Sequence, residues 1–186
     1  MKSGKVKYRY LYQLTNNVTP LEDDCGLLCG SVCCRPDHKN SLGVYLFPGE
    51  ESLFPGDEEW FTREYHDPCE HGFPDNWKEP VHFLKCCGPC DREKRPLACR
   101  FFPLAPHLLS DGTLLLTYET ARLPYRCPLV YKKIPLKEDF IEKVALSWSL
   151  LLEDIRIRRL VDEDSRERER NLSAIPAIIW SGPQRL

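Results

Sequence analysis

The sequence lacks any long apolar run. No stretch reaches the roughly 18 apolar residues that would cross a bilayer, and the basic residues 1–10 are not followed by the apolar segment of a secretory signal. An excess of one charge is also lacking, because 26 Lys and Arg residues stand against 28 Asp and Glu residues and leave a formal net charge of -2. These features predict a cytoplasmic protein that binds neither membrane nor nucleic acid.

The sequence also lacks a recognisable catalytic set. No Ser/His/Asp or Cys/His combination can be placed from spacing alone, and no Gly-rich loop for S-adenosylmethionine is present. The CxxxCxxC motif of radical S-adenosylmethionine enzymes is interrupted, since Val32 stands where its third cysteine would be. Whether the chain is an enzyme is therefore left open, and no catalytic residue is predicted.

Cysteine, in contrast, is abundant, with ten residues in a chain of 186. One cluster occupies residues 25–34 and a second occupies residues 86–99. In a reducing compartment such thiols are metal ligands more often than disulfides. The alternative is a secreted disulfide protein, but adjacent cysteines bridge each other only with strain. The predicted metal ligands are Cys25, Cys29, Cys33, Cys34, Cys86, Cys87, Cys90, Cys99 and Cys127.

The spacing and surroundings of these cysteines suggest how they bind. Cys25, Cys29 and Cys33 recur every four residues, which on a helix would place three thiols on one face. Gly88-Pro89 predicts a turn that folds neighbouring thiolates toward one ion. We expect one member of each adjacent pair to face the metal. Cys127 would complete a single site drawn from both clusters, and two sites remain an alternative.

Thiolate sites hold Zn²⁺ or iron–sulfur clusters, and a structural zinc takes four ligands. Basic residues beside the clusters would offset the negative charge of such a site. They are Arg35, Arg92, Lys94, Arg95 and Arg100. Two other acidic or mixed segments have weaker metal-binding character. Residues 50–59 are acidic and are interpreted as solvated surface, while His66, Cys69 and His71 are interpreted as a surface loop in preference to a small zinc site.

The second cluster resembles a known family. The segment runs Cys90, Arg95-Pro96, Cys99-Arg100 and Phe102-Pro103. It is similar to the cysteine-cluster family described as zinc- or iron-chelating proteins, whose hallmark is a CxxCxxCC motif; here the first motif is CxxxCxxxCC. The resemblance covers about residues 20–130 and implies binding of zinc or an iron–sulfur cluster. Some members, such as flagellin lysine N-methylases, join this module to protein methylation.

The pattern of elements predicts an α+β fold: a small, loop-rich, metal-stapled domain with few short strands and a long C-terminal helix. Strands are predicted near residues 5–14 and 43–47, and residues 106–119 predict a hairpin. Apolar positions at three- and four-residue spacing predict an amphipathic helix over 137–170. The apolar residues 175–180 are expected to dock on the same chain. The predicted domains are a metal-binding domain at 1–135 and a helical region at 136–186 that packs on it.

Three functions compete at this point. The first is a non-enzymatic metal-binding protein, in which zinc or an iron–sulfur cluster staples the fold or is carried. The second is an iron–sulfur-dependent redox or group-transfer enzyme of the methylation type, suggested by cysteines in excess of four ligands. The third is an interaction protein whose C-terminal helix binds an unknown protein partner, with a purely structural metal.

Overall fold

The computed structural model describes residues 4–36, 42–171 and 177–183, and it has the predicted α+β class. The helices are α1 (Gly4–Leu14), α2 (Gly26–Cys29), α3 (Leu97–Phe101), α4 (Pro128–Tyr131), α5 (Glu138–Leu151) and α6 (Ile155–Asn171). The strands are β1 (Gly43–Tyr45), β2 (Phe61–His66), β3 (Val81–Cys86), β4 (Leu104–Leu108), β5 (Leu114–Tyr118) and β6 (Ile178–Ser181). Among the helices within these ranges, none is long and apolar enough to cross a bilayer.

The strands form two antiparallel sheets of three strands each. Sheet A has the order β1-β3-β2 and sheet B has the order β4-β5-β6. Each sheet faces its own apolar cluster. The larger cluster joins sheet B to α1, α3, α5 and α6, and the smaller one lies on sheet A around Phe61 and Leu84.

The N-terminal segment is a helix, so the prediction of a strand over residues 5–14 is wrong. Tyr8, Leu11 and Thr15 are buried, whereas Tyr10 is exposed. The buried positions therefore follow the three- and four-residue spacing of a helix face. The alternating tyrosines suggested a strand, but Tyr10 breaks that alternation because it faces solvent.

The predicted hairpin is confirmed by β4 and β5, which pair from Leu104↔Tyr118 to Leu108↔Leu114. The predicted docking of the apolar tail on its own chain is confirmed for its described part. Strand β6 pairs with β5, with Trp180 opposite Leu116. Residues 175 and 176 of that tail lie outside the described ranges.

The predicted single C-terminal helix is two helices. Helix α5 ends in a turn with two hydrogen bonds. The Glu153 amide donates to the Leu150 carbonyl, and the Asp154 amide donates to the Leu151 carbonyl. The Asp154 carboxylate then accepts the Arg156 amide (2.9 Å), which starts α6. No Gly or Pro signals this break, so the apolar spacing alone did not reveal it. Both helices contribute to the core shared with residues before 135, and the boundary at 135/136 stays a prediction.

Helix α6 covers the outer edge of β4 through polar contacts. The buried Ser165 hydroxyl accepts the Leu108 amide (2.9 Å) and donates to the Val161 carbonyl (2.6 Å). The Arg168 guanidinium donates to the Pro106 carbonyl (3.1 Å). An edge strand that is covered in this way cannot pair with another chain.

We expect Ser165→Ala to lower the free energy of unfolding by about 1–3 kcal/mol, because the buried Leu108 amide loses its acceptor. Urea denaturation measures the change. The matched control is Ser149→Ala, since the exposed Ser149 hydroxyl also bonds the carbonyl four residues back (2.9 Å) but has no second partner. The control should change stability by less than about 0.5 kcal/mol. Equal effects of the two substitutions would contradict the role given to the edge contact.

A buried polar network lies under the second cysteine cluster. Glu50 is fully buried, which corrects its interpretation as part of a solvated acidic loop. Its carboxylate accepts the Phe47 amide (2.9 Å), the Leu97 amide (2.8 Å) and the Tyr12 hydroxyl (2.7 Å). Burial raises the pKa of Glu50, and these donors oppose that rise. The acidic composition of residues 50–59 concealed one residue with a structural role.

Arg100 joins this network through the ring of Tyr12. Its guanidinium carbon lies 4.4 Å from the Tyr12 ring centroid. The nitrogens donate to the carbonyls of Arg95 (2.8 Å), Glu93 (2.6 Å) and Tyr12 (3.1 Å). Arg100 is 1% exposed, so it is a structural residue that ties α1 to the segment between Cys90 and Cys99.

Candidate metal centre

The first cysteine cluster is not one continuous helix. Helix α2 ends at Cys29, and Gly30 and Ser31 both adopt left-handed conformations with φ of 67° and 57°. The chain then re-enters a 3₁₀ turn at Val32–Cys34. Two successive left-handed residues reverse the chain, so the prediction that Cys25, Cys29 and Cys33 share a helix face is wrong.

The second cluster is placed by sheet A and α3. Strand β3 ends at Cys86, whose amide donates to the Leu42 carbonyl (2.8 Å). The Cys87 amide donates to the Trp60 carbonyl (2.8 Å), and its side chain is exposed. The neighbours Cys86 and Cys87 thus differ in environment, because successive side chains of a strand point to opposite faces.

Four cysteines from separate segments come together beside α3. The Cys34 and Cys90 thiols lie close enough for each to affect the ionisation of the other. In addition to burial, the charges of Cys34 and Cys90 raise the pKa of both Cys86 and Cys99, and the charge of Cys86 also raises that of Cys99. Cys33 adjoins this group, with 3.7 Å between the Cys33 and Cys34 sulfurs. The fold therefore joins the first cluster to the second, and we call Cys34, Cys86, Cys90 and Cys99 the thiol cluster.

Every member of the thiol cluster has a raised pKa. The hydrogen bond with Cys33 raises the pKa of Cys34 to about 11. Burial and the nearby thiols raise the pKa of Cys86 to about 12. The neighbouring Cys34 thiol raises the pKa of Cys90, and burial raises that of Cys99. Negative charge on one sulfur disfavours it on the next, so a cation would have to accompany full ionisation.

A guanidinium lies beside the thiol cluster. Arg95 forms an ion pair with Asp24 (2.8 Å) and donates to the Cys90 carbonyl (3.4 Å). Its Nε–H is buried and has no hydrogen-bond partner among the described residues. The charges of Cys90 and Cys34 also influence its ionisation. Arg95 therefore supplies positive charge, and an unused donor, next to the place where thiolate charge would develop.

The link through Asp24 was missed by sequence reasoning. The Asp24 carboxylate accepts the Gly26 amide (2.7 Å) at the start of the first cluster and holds Arg95 from the second. An Asp two residues before a tight turn is a usual local signal for such a bond. Tyr125 was also missed. Burial raises its pKa, and charge on Cys33 and Cys99 would raise it further, so its ring lies near the thiols.

Three further predicted ligands, Cys25, Cys29 and Cys127, lie apart from the thiol cluster. Burial raises the pKa of Cys25 to about 11. The charges of Asp24 and Cys29 also raise this pKa, whereas Arg95 lowers it. The Cys29 thiol donates to the Cys25 carbonyl (3.8 Å). Cys127 is buried at the start of α4. Burial raises its pKa, and the charge of Cys29 raises it further. These three form a second, looser group.

The thiol cluster has the donor chemistry for a soft metal, but the side chains are not arranged around one point. Within residues 4–36, 42–171 and 177–183, no three His, Cys, Asp or Glu side chains take positions that would hold a metal ion. Within the described ranges, the thiol–thiol hydrogen bond is that of Cys33 with Cys34 (3.7 Å). A Cys side chain has a single rotatable bond before its sulfur, so a change of arrangement requires a change of χ1 rotamer.

His66 and His71 form an aromatic stack, with 4.3 Å between their ring centroids. Both nitrogens of His66 have partners, since Nδ1 bonds the Tyr45 hydroxyl (2.8 Å) and Nε2 bonds Glu64 (3.2 Å). Cys69 is exposed in the adjoining turn. Cys69 and His71 agree with the surface-loop interpretation, whereas His66 is the last residue of β2 and pairs with Val81.

Comparison of the chain with models of protein families, with curated protein sequences and with solved structures gives no significant match.

Proposed function

We propose that the protein binds zinc or an iron–sulfur cluster through Cys34, Cys86, Cys90 and Cys99. The observation that carries the proposal is the convergence of these four thiols from two clusters more than fifty residues apart. Four thiolates are the full ligand set of a structural zinc site and of common iron–sulfur clusters. Cys33 is the natural substitute for Cys34, because its sulfur is adjacent.

Arg95 supports the proposal through its charge and its unpartnered Nε–H. Four thiolates around Zn²⁺ or a doubly charged cluster leave a net charge near -2, by simple counting of charges. A buried guanidinium offsets part of that charge and can donate N–H to a sulfur. Arg92 is half-buried nearby and adds a second positive charge, with its own Nε–H also unpartnered in the described part of the chain.

The proposed role of the metal is to staple the fold. The thiol cluster joins the 3₁₀ turn that contains Cys34, the end of β3 at Cys86, the loop at Cys90 and helix α3 at Cys99. Residues 87–96, between β3 and α3, contain no longer element than a 3₁₀ turn. A bond from each of these segments to one centre would convert metal binding energy into folding energy.

The resemblance to zinc- or iron-chelating cysteine-cluster proteins belongs to this proposal. In that interpretation Arg95 would offset thiolate charge, Cys99 would be a ligand and Arg100 would support the ligand-bearing segment. Free thiols in such number also suit a reducing compartment such as the cytoplasm. The exposed face of α6 is where we propose that a protein partner would bind.

The decisive experiment is anaerobic purification followed by metal analysis and a visible spectrum of the same sample. Close to one zinc per chain, without colour, would support a structural or chelating site. Iron with labile sulfide and a brown colour would support an iron–sulfur protein and lead to tests of reduction. A folded protein that holds neither metal, and takes up neither on anaerobic reconstitution, would overturn the proposal.

A further inference from the structure

A second candidate site lies beside α3 and uses none of the thiols. A cavity of about 680 Å³ opens between the two sheets, with α6 along one wall. Cavities that bind small molecules usually have volumes of about 300–1,000 Å³. Edge strands β1 and β4 and the residues Ala98, Phe101 and Phe102 of the α3 segment form other walls. The proposed metal centre makes no use of this cavity.

One end of the cavity is apolar and aromatic. Phe73, Trp77, Phe102 and Trp148 line it, together with Ile157 at the start of α6. Phe73 and Trp77 are in contact, with ring centroids 4.7 Å apart. Such walls favour a flat or aliphatic ligand body.

Neither indole donor is available to a ligand at this end. The Trp148 side chain is 7% exposed, and its Nε1–H is shielded from solvent and has no hydrogen-bond partner among the described residues. Trp77 Nε1–H donates to the Arg156 carbonyl (3.2 Å). The two tryptophans therefore add apolar ring surface to the lining and no hydrogen-bond donor.

The other end of the cavity is acidic. Glu119, Asp164 and Glu167 line it. Their one cationic neighbour in the lining, Arg168, is already bonded to the Pro106 carbonyl, His107 Nδ1 and Thr120 Oγ1. Glu119 is fixed, because its Oε1 accepts the amides of Thr120 and Ala121 (2.7 and 2.8 Å). The negative charge at this end is thus in excess.

Each of these carboxylates disfavours the ionisation of its neighbours. The surrounding protein raises the pKa of Asp164, and the charges of Glu119 and Glu167 raise it further, although Arg168 opposes them. A cation placed among the three carboxylates would remove that repulsion. From Ile157 to Asp164 the helix rises about 10 Å, so the two ends suit the two ends of one small molecule.

We propose that this cavity binds a small organic cation, with its ammonium group among Glu119, Asp164 and Glu167 and its organic body against the aromatic walls. The apolar lining argues for an organic cation, because a hydrated metal ion would gain nothing from aromatic walls. This site and the metal centre are independent proposals.

The test uses tyramine and 6-aminohexanamide, each of which has an ammonium group at one end of an organic body. The readout is the indole N–H signals of the ¹⁵N-labelled full chain, with Trp148 assigned by the signal that Trp148→Phe removes. Binding of either amine should shift the Trp148 signal in a saturable manner.

Two further comparisons test the acidic end. The anion 3-(4-hydroxyphenyl)propionate has nearly the shape of tyramine and should not bind. The double variant Asp164→Asn/Glu167→Gln should weaken tyramine binding about tenfold, since two partly exposed charge contacts are lost. The control Asp162→Asn/Glu163→Gln removes the same charge from the same helix outside the cavity, and it should bind tyramine as the wild type does.

Three results would overturn the proposal. They are the absence of a Trp148 shift with both amines at millimolar concentration, equal binding of the propionate, and equal weakening by the two double variants. The last result would mean that the general charge of α6 acts, and not the cavity.

Discussion

Replacement of Cys99 by serine is expected to leave a protein that purifies with almost no bound metal. Cys99 lies in α3, a helix whose position is fixed by the core and by the Arg100 network. It therefore has less freedom than a loop residue to be replaced by a neighbouring thiol. Structural zinc sites have binding free energies of about 10–16 kcal/mol. Losing one of four ligands should accordingly weaken binding by roughly 100-fold or more.

The measurement is the ratio of metal to protein after anaerobic purification, with a competing chelator used to compare affinities. Cys69→Ser is the control, because Cys69 is exposed in the turn after β2, away from the thiol cluster. The same series extends to Cys34, Cys86 and Cys90. Retention of full metal content by Cys99→Ser, with equal affinity, would exclude Cys99 as a ligand.

Arg100→Met should destabilise the protein by about 3–5 kcal/mol, as is typical when one partner of a buried charged network is removed. Methionine fills much of the same volume but donates no hydrogen bond. The carbonyls of Glu93, Arg95 and Tyr12 would each lose a donor. Glu50 would keep its buried carboxylate without the nearby positive charge. The midpoint of urea unfolding should fall steeply.

Arg63→Met is the matched control for this prediction. Arg63 also donates to two carbonyls, those of Phe54 (2.8 Å) and Pro55 (3.3 Å), and also lies over a tyrosine ring. It is only half-buried, so its loss should cost about 1 kcal/mol or less. A comparable loss of stability in both variants would show that burial does not distinguish them.

The sequence predicted those elements in which the spacing of apolar residues follows burial against the core. The hairpin of β4 and β5 and the helical region after residue 137 were predicted, because one face of each element meets the core. Helix α1 was mistaken for a strand, since Tyr8, Tyr10 and Tyr12 alternate by chance while the true pattern is a helix face. The break at Asp154 was missed, because a local cap sets it and apolar spacing does not.

The site was predictable in composition and not in arrangement. Cysteine density identified the residue types, and the sequence suggested one site drawn from both clusters. Which sulfurs meet depends on tertiary contacts that no spacing encodes, such as the ion pair of Asp24 with Arg95. Glu50 illustrates the same limit, because nothing in an acidic segment distinguishes the one carboxylate that faces inward. The cavity required the placement of α6 against both sheets.

Helix α3 is only five residues long, yet it serves two surfaces: it carries Cys99 toward the thiols, and Ala98 and Phe101 toward the cavity. A displacement of this short helix would change both the thiol cluster and the cavity. Occupancy of the metal centre and occupancy of the cavity would then be thermodynamically linked. By reciprocity, whatever factor the metal applied to the affinity for an amine, the amine would apply to the affinity for the metal.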